Sequence, residues 1–234
     1  MSITLGFDVY GTLIDTHGII GELEKIIGAE TAEAARFSQI WREKQLEYTF
    51  RRGLMKQYQN FGVCTREALD YTAAFLNHNF SDQQKQTLSS AYSTLPAFGD
   101  VIAGLTAAKD AGLNLYAFSN GQAEAVHTVL SNAGIREYFA DVVSVDEVGT
   151  FKPDPAVYRH FVRTAKAQLE NTWLISSNGF DVIGAVAAGM KAVWVQRSNA
   201  VVFDPWEYQP TLIVDSIRDL HRKIDRWQIG EGKS

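Results

Sequence analysis

Cysteine is nearly absent: Cys64 is the single one among 234 residues. One thiol cannot close an internal disulfide, so the chain is read as suited to a reducing, cytoplasmic compartment. No Cys-His signature surrounds it, which argues against a cysteine nucleophile. The five histidines stand singly, without metal-ligand spacing or a serine-histidine pattern, and none is assigned to chemistry. No basic stripe runs along the chain, so nucleic acid is not an expected partner. No apolar run approaches the length of a membrane helix, and the N-terminus lacks a basic flank followed by a long apolar stretch. Neither a membrane partner nor a signal peptide is therefore expected. Internal repeats, low-complexity tracts and charge blocks are missing as well.

What is there is ordinary for a globular enzyme: 46% hydrophobic and 21% charged residues, net charge -5 and a pI near 5.6. The length suits one α/β core with an inserted subdomain. A mildly negative chain has no general attraction for an anionic substrate. Any such attraction must come from particular Arg or Lys residues.

Short apolar runs alternate with helical stretches. The runs are Ile3 to Val9, Leu113 to Ser119, Val142 to Val145, Thr172 to Ser176, Ala192 to Gln196 and Leu212 to Val214. Strands buried on both faces of a parallel sheet have this composition. The expected fold class is therefore α/β: a Rossmann-like, mostly parallel sheet with helices on both faces. About a hundred residues separate the first two runs, far more than one crossover helix needs. That gap reads as helix. Thr31 to Gln59 carries Ala34, Phe37, Ile40, Trp41, Tyr48 and Leu54 at helical spacings, and Arg66 to Asn77 and Asp82 to Leu95 continue the pattern. The expectation is a helical cap at residues 16–94, inserted into a core of 1–15 and 95–234. Such an insert lies over the carboxyl end of the first strand, where ligands bind in open parallel sheets, and can exclude water from the chemistry.

Four segments carry the chemistry. Phe7-Asp8-Val9-Tyr10-Gly11-Thr12-Leu13 follows the first apolar run directly. A carboxylate at a strand tip, with backbone donors after it, is placed for nucleophilic attack, and Gly11 permits a tight turn. Ser119-Asn120-Gly121 ends the second run and offers donors to an oxyanion or carboxylate. In Phe151-Lys152-Pro153-Asp154-Pro155, Asp154 and Pro155 are suited to cap and begin a helix. An ammonium on Lys152 beside Asp8 would keep the carboxylate ionised. The fourth segment is Ile175-Ser176-Ser177-Asn178-Gly179-Phe180-Asp181.

Taken in this order, the four segments resemble the haloacid dehalogenase superfamily, whose first motif reads Asp-x-Asp/Tyr-Gly-Thr, and within it the L-2-haloacid dehalogenase branch. The resemblance covers most of the chain, the core more tightly than the insert. It implies Asp8 as nucleophile, with Thr12, Lys152, Ser176, Asn178 and Asp181 as its catalytic company. Phosphatase members usually carry a second Asp where Tyr10 stands, to protonate a departing alcohol. A halide leaves without a proton and needs no such acid. They also read Gly-Asp-x-x-x-Asp in the fourth motif, to hold magnesium; aligning Asp181 with the second Asp places Ser177 at the first. Two carboxylates are thus missing from a magnesium shell, and catalysis without metal or other cofactor is expected.

The resemblance further assigns Ser119 and Asn120 to the substrate carboxylate or to orienting Asp8. Arg42, in Trp41-Arg42-Glu43, takes the substrate carboxylate or the halide, and Tyr10, Leu46, Phe61 and Phe180 line an apolar pocket. Two positions depart from the branch. Glu43 stands where Gln is frequent, and Phe180 where Trp is common. The implied activity is hydrolysis of short 2-haloalkanoic acids to 2-hydroxy acids with inversion, by a homodimer. The alternatives are a magnesium-dependent phosphatase for small metabolites and a catalytically idle member of the superfamily.

Overall fold

The structure is a computed structural model, and it describes residues 3–28 and 30–230. Six strands form one sheet: β1 (Thr4–Phe7), β2 (Asn114–Ser119), β3 (Asp141–Ser144), β4 (Thr172–Ser176), β5 (Lys191–Val195) and β6 (Leu212–Val214). Their order is β3-β2-β1-β4-β5-β6, and every neighbouring pair is parallel. The chain winds outward from β1 in one direction and then from β4 in the other. β1 and β4 therefore flank the switch point, where an open α/β sheet leaves a crevice beyond its strand ends.

All six expected strands are present, two with the expected bounds and the others displaced at an end by no more than two residues. Their side chains alternate between two cores, as the pleat requires. Leu5, Phe7, Leu115, Ala117, Trp173, Ile175, Val193 and Val195 pack into one core. Phe118, Leu174, Ala192 and Trp194 pack into the other. Gly6 belongs to the second face, and the Phe161 ring takes the space a side chain would fill.

Between β1 and β2 the chain is helical, with α1 (Ile20–Ile27), α2 (Thr31–Met55), α3 (Phe61–Phe75) and α4 (Asp82–Ala91) preceding α5 (Val101–Asp110). The expected unbroken helix from Thr31 to Gln59 stops at Met55. Lys56 adopts a left-handed conformation there, its N–H closing onto the carbonyls of Arg52 and Gly53. The next helix begins five residues earlier than Arg66, because the Asn60 side chain accepts from the Val63 N–H and caps it. Leu54, counted with the apolar face of this stretch, is 86% exposed. Buried polar contacts join α2 to α3: Trp41 Nε1–H donates to the Thr65 carbonyl at 2.8 Å, and Gln45 Nε2–H to Thr65 Oγ1 at 2.6 Å.

The remaining helices are α6 (Ala123–Asn132), α7 (Pro155–Thr164), α8 (Gly179–Ala187) and α9 (Leu220–Gln228). α7 starts as the sequence suggests, with Asp154 accepting from the Ala156 N–H at 2.8 Å and Pro155 in the first turn. No helix among the described residues is long and apolar enough to cross a membrane.

A Cβ on Gly6 would lie 2.6 Å from Phe161 Cζ and 2.9 Å from Cε2, closer than a packed core tolerates. Gly6→Ala is expected to cost about 1–3 kcal/mol by overpacking, read as a lower urea midpoint. A double-mutant cycle with Phe161→Ala should show coupling, since the second change removes the obstructing ring. Simple additivity of the two changes would contradict this account of the contact.

Candidate active site

Strand ends deliver the site. Asp8 follows β1 directly, Ser119 closes β2 with Asn120 after it, and Ser176 closes β4 ahead of Ser177 and Asn178. Lys152 comes from the loop between β3 and α7, and Asp181 from the first turn of α8. The Asp8 N–H donates to the Ile175 carbonyl at 2.9 Å, which extends the β1–β4 pairing and fixes the backbone of the carboxylate. Gly11 turns the chain at φ +83°. The N–H groups of Gly11, Thr12, Leu13 and Ile14 are all spent within this turn. The supply of backbone donors expected after Asp8 is smaller by those four.

Three side chains hold the Asp8 carboxylate. Thr12 Oγ1–H donates to Oδ2 at 2.8 Å, Asn178 Nδ2–H to Oδ2 at 2.7 Å, and Lys152 Nζ–H to Oδ1 at 3.2 Å. The Thr12 hydroxyl also accepts from the Ser177 N–H at 2.9 Å, which directs its own proton toward Asp8. Ser177 Oγ–H donates to the Gly11 carbonyl at 2.7 Å, tying the fourth motif to the first.

Lys152 is 1% exposed. Its ammonium donates to Asp8, to Asp181 Oδ2 at 2.8 Å and to the Phe118 carbonyl at 2.9 Å, so each of its three protons has an acceptor. It also sits 4.1 Å from the centre of the Phe118 ring. Its backbone N–H donates to Asn120 Oδ1 at 3.0 Å. Burial alone would depress the ammonium's proton affinity. The charges and hydrogen bonds of Asp181 and Asp8 outweigh burial and raise it above the ordinary lysine value.

Asp181 is fully buried and does not border the cavity at Asp8. Its second oxygen accepts from the Tyr158 hydroxyl at 2.9 Å. Burial raises its carboxyl above the usual range; Lys152 pulls it down, and the charge of Asp8 pushes it up. Tyr158, buried on α7, is itself pushed far up by burial and by Asp181.

Above Asp8 lies a cavity of only about 10 Å³, bordered by Asp8, Tyr10, Arg42, Leu46, Phe61, Ser119, Asn120, Lys152, Asn178 and Phe180. That is room for about one water. Tyr10 stacks on Phe61 with ring centres 6.4 Å apart and meets the edge of Tyr92 at 6.3 Å. Burial pushes the hydroxyls of Tyr10 and Tyr92 up to about 12, so both stay protonated at neutral pH. Burial lowers the proton affinity of Arg42, while Tyr92, Asp8 and Tyr10 act the other way. Its Nη1–H donates to Gln45 Oε1 at 2.7 Å.

A family model described as haloacid dehalogenase-like hydrolase matches residues 4–189. The chain belongs to that family. An (S)-2-haloacid dehalogenase of Pseudomonas sp. (strain YL) is 34% identical over 230 residues, 98% of this chain and 96% of that one. Haloacetate dehalogenase H-2 of Moraxella sp. (strain B) is 34% identical over 193 residues, 82% of this chain and 85% of the relative. Among solved structures, the L-2-haloacid dehalogenase of Xanthobacter autotrophicus with chloropropionic acid covalently bound has a TM-score of 0.90 at 28% identity. The match covers 96% of this chain and 99% of that one.

Within this haloacid dehalogenase-like frame, the residues singled out from the sequence converge on one place, with two differences. Ser176 does not reach Asp8. It is buried, and its Oγ accepts from the Asn178 N–H at 3.1 Å, so it acts on the carboxylate through Asn178. Its neighbour Ser177, considered only as a replaced metal ligand, makes the contacts to the turn after Asp8. Ser119 borders the cavity while its Oγ accepts from the Gly121 N–H at 3.0 Å. Of the two departures from the branch, Glu43 is exposed, accepts from Gln39 at 2.9 Å and borders no part of the cavity. Phe180 borders it and meets the edge of Phe50 at 5.2 Å. Sequence reading passed over Tyr158 and Tyr92. The spacing of Tyr158 from Phe161, one helical turn, was the available signal, because it puts the ring on the buried face that Val157 and Phe161 share.

Replacing Lys152 by Met leaves two buried carboxylates without their shared cation. A broken buried pair costs about 3–5 kcal/mol. The Asp181 carboxyl, already above its unfolded value, then loses the charge that pulls it down. The folded chain holds a proton there that the unfolded chain releases. Its contribution is present below the unfolded carboxylate range and is lost as pH rises through the folded value. The stability deficit of Lys152→Met against the unsubstituted protein should therefore be larger at about pH 8 than at about pH 5. Urea titrations at both values check this; a deficit that grows toward acid would refute it.

Proposed function

We propose that this protein hydrolyses short 2-haloalkanoic acids to 2-hydroxy acids with inversion, through an ester formed on Asp8. The observation that carries the reading is the Lys152 ammonium, bonded at once to Asp8 and Asp181. A cation of the chain itself balances the two carboxylates where the phosphatase branch uses magnesium. Tyr10, held protonated by burial, offers no carboxylate to serve a departing alcohol, which supports a leaving group that needs no proton.

In this scheme Arg42, with Ser119 and Asn120, receives the substrate carboxylate; a forked, permanent cation suits that part. An Asp8 oxygen attacks the carbon bearing the halogen from behind. The carbon–oxygen bond forms as the carbon–halogen bond breaks, and halide leaves with the electron pair. Water oriented at Asn178 then adds to the ester carbonyl. The product oxygen leaves carrying a proton from that water, and Asp8 keeps the water's oxygen. Lys152 stabilises the charge that develops on the carboxyl during addition. Asp181 and Tyr158, out of contact with the cavity, act by holding Lys152. Two steps of moderate difficulty replace one hard displacement.

The same reading makes residues 16–94 a cap that brings Arg42, Leu46 and Phe61 to a core of 1–15 and 95–234. Relatives with these activities support a small-molecule haloacid as partner. A homodimer in the cytoplasm, with neither nucleic acid nor membrane bound, completes the proposal.

Halide release from 2-chloropropionate tests it. The expected result is turnover that survives a metal chelator, with Asp8→Asn lowering kcat by at least about a thousandfold, as for loss of a covalent nucleophile. In a single turnover in ¹⁸O-water, mass spectrometry should find the label in the peptide containing Asp8. Label confined to the hydroxy acid would establish direct attack by water. Phosphate-ester hydrolysis that a chelator abolishes, with no halide released, would replace the whole assignment.

A further inference from the structure

A second void, about 570 Å³, adjoins the catalytic cavity and is lined mostly by apolar residues. Phe180 and Lys152 border both spaces. On the core side the void is closed by Phe151, Pro155, Ile183 and Trp206; on the other side by Phe50, Gly53 and Leu54 of α2. The cavity at Asp8 measures only about 10 Å³, so the groove is by far the larger of the two adjoining spaces.

The two spaces lie along one line of α2. Arg42, Leu46, Phe50 and Leu54 recur every four residues and so share a face of the helix, each about 6 Å further along it. Arg42 and Leu46 face the nucleophile's cavity; Phe50 and Leu54 face the groove. The stripe begins with a guanidinium and continues with three apolar side chains. Its far end, Leu54, is 86% exposed, so the groove opens to solvent there. The ring pair Phe50–Phe180, with centres 5.2 Å apart, stands where the two spaces meet. Asp154 and Asp204 are the groove's acidic residues. They repel a carboxylate, so an amphiphilic acid enters with its head toward Arg42 and its tail along Phe50 and Leu54.

We propose that this groove is a subsite for the alkyl tail of medium-chain 2-haloalkanoates, with Phe180 as the swinging partition between it and the nucleophile. The inference rests on the catalytic reading above and extends its substrate class from the shortest haloacids to those of six to eight carbons. Gly53 keeps the groove open: it has no side chain, and a Cβ there would meet only Thr150 Oγ1, at an ordinary 3.5 Å.

The experiment compares kcat/KM for 2-bromopropanoate, 2-bromohexanoate and 2-bromooctanoate in the unsubstituted protein, Gly53→Ala and Gly53→Leu. Burying methylenes in a half-open apolar groove should raise kcat/KM about two- to fourfold for each one added. Gly53→Ala should keep that gain. Gly53→Leu fills the groove and should abolish the gain while leaving 2-bromopropanoate turnover unchanged. Neither change endangers α2, since glycine is the weaker helix former. A kcat/KM that falls steadily with chain length overturns the proposal, as does a Gly53→Leu effect equal on all three acids. Sedimentation distinguishes the other occupant. If Gly53→Leu splits a dimer while chain length brings no gain, the groove is an interface between copies and the tail subsite is refuted. Turnover of 2-bromopropanoate reports separately on the catalytic reading; without it, that reading fails, and the subsite with it.

Discussion

The Lys152 ammonium, removed from water and shared among three acceptors, is the constraint on which the site depends. A buried cation costs several kcal/mol in lost hydration unless its partners replace every contact. Here Asp8 comes from the end of β1, the Phe118 carbonyl from β2 and Asp181 from α8. These groups converge only if β1, β2 and the β4–α8 turn are packed in register. The stability of the ammonium and the geometry of the Asp8 carboxylate are therefore one problem with one solution. Because all three protons are committed, the side chain has no spare donor with which to drift toward solvent.

Charge balance explains why a second cation stands on the other wall. Asp8 and Asp181 are offset by Lys152 and Arg42, so the empty site is close to neutral. Under the proposed scheme a haloacid brings one further negative charge. Ester formation removes the charge on Asp8 and creates halide, leaving the total unchanged. Departure of halide then restores neutrality while the ester is still in place. Burial makes the excess charge expensive in the interval, and this favours halide leaving before water attacks.

The fold was legible where apolarity alone decides structure. Strands buried on both faces must be apolar throughout, and all six runs are strands. Their ends were less legible because pairing decides them: Asp141 and Lys191 are polar yet join β3 and β5 through partners on Tyr116 and Trp173. Lys56 ends α2 in a left-handed turn that residue type does not announce, whereas Asn60 carried a capping signal that went unused. Leu54 matched the helical period of the core but sits at the groove's open end, where the period is the same and the surroundings differ. In the site, residues inside contiguous motifs were found by type and spacing. Tyr158 was not, because its tie to Asp181 joins α7 to α8 and exists only after folding. Ser176 and Ser177 illustrate the limit of spacing: adjacent serines leaving a strand face opposite ways, and only the backbone decides which one meets Thr12.

The two walls of the cavity at Asp8, a space of about 10 Å³, are held by different kinds of contact. The core wall is pinned: Lys152 has three acceptors, Asn178 and Thr12 hold the carboxylate, and Asn120 holds the Lys152 backbone. The facing wall is secured chiefly to its own helices, through Trp41 and Gln45 onto Thr65 and Arg52 onto Glu67. Its contacts to the core include the Phe61 ring stacked on Tyr10, the edge of Phe50 on Phe180, and the Tyr58 hydroxyl on Asp146. Ring contacts of either kind shift at smaller cost than buried charges separate. Under the proposed scheme the Asp8 carboxylate is therefore oriented by core contacts alone, whatever position α2 and α3 take.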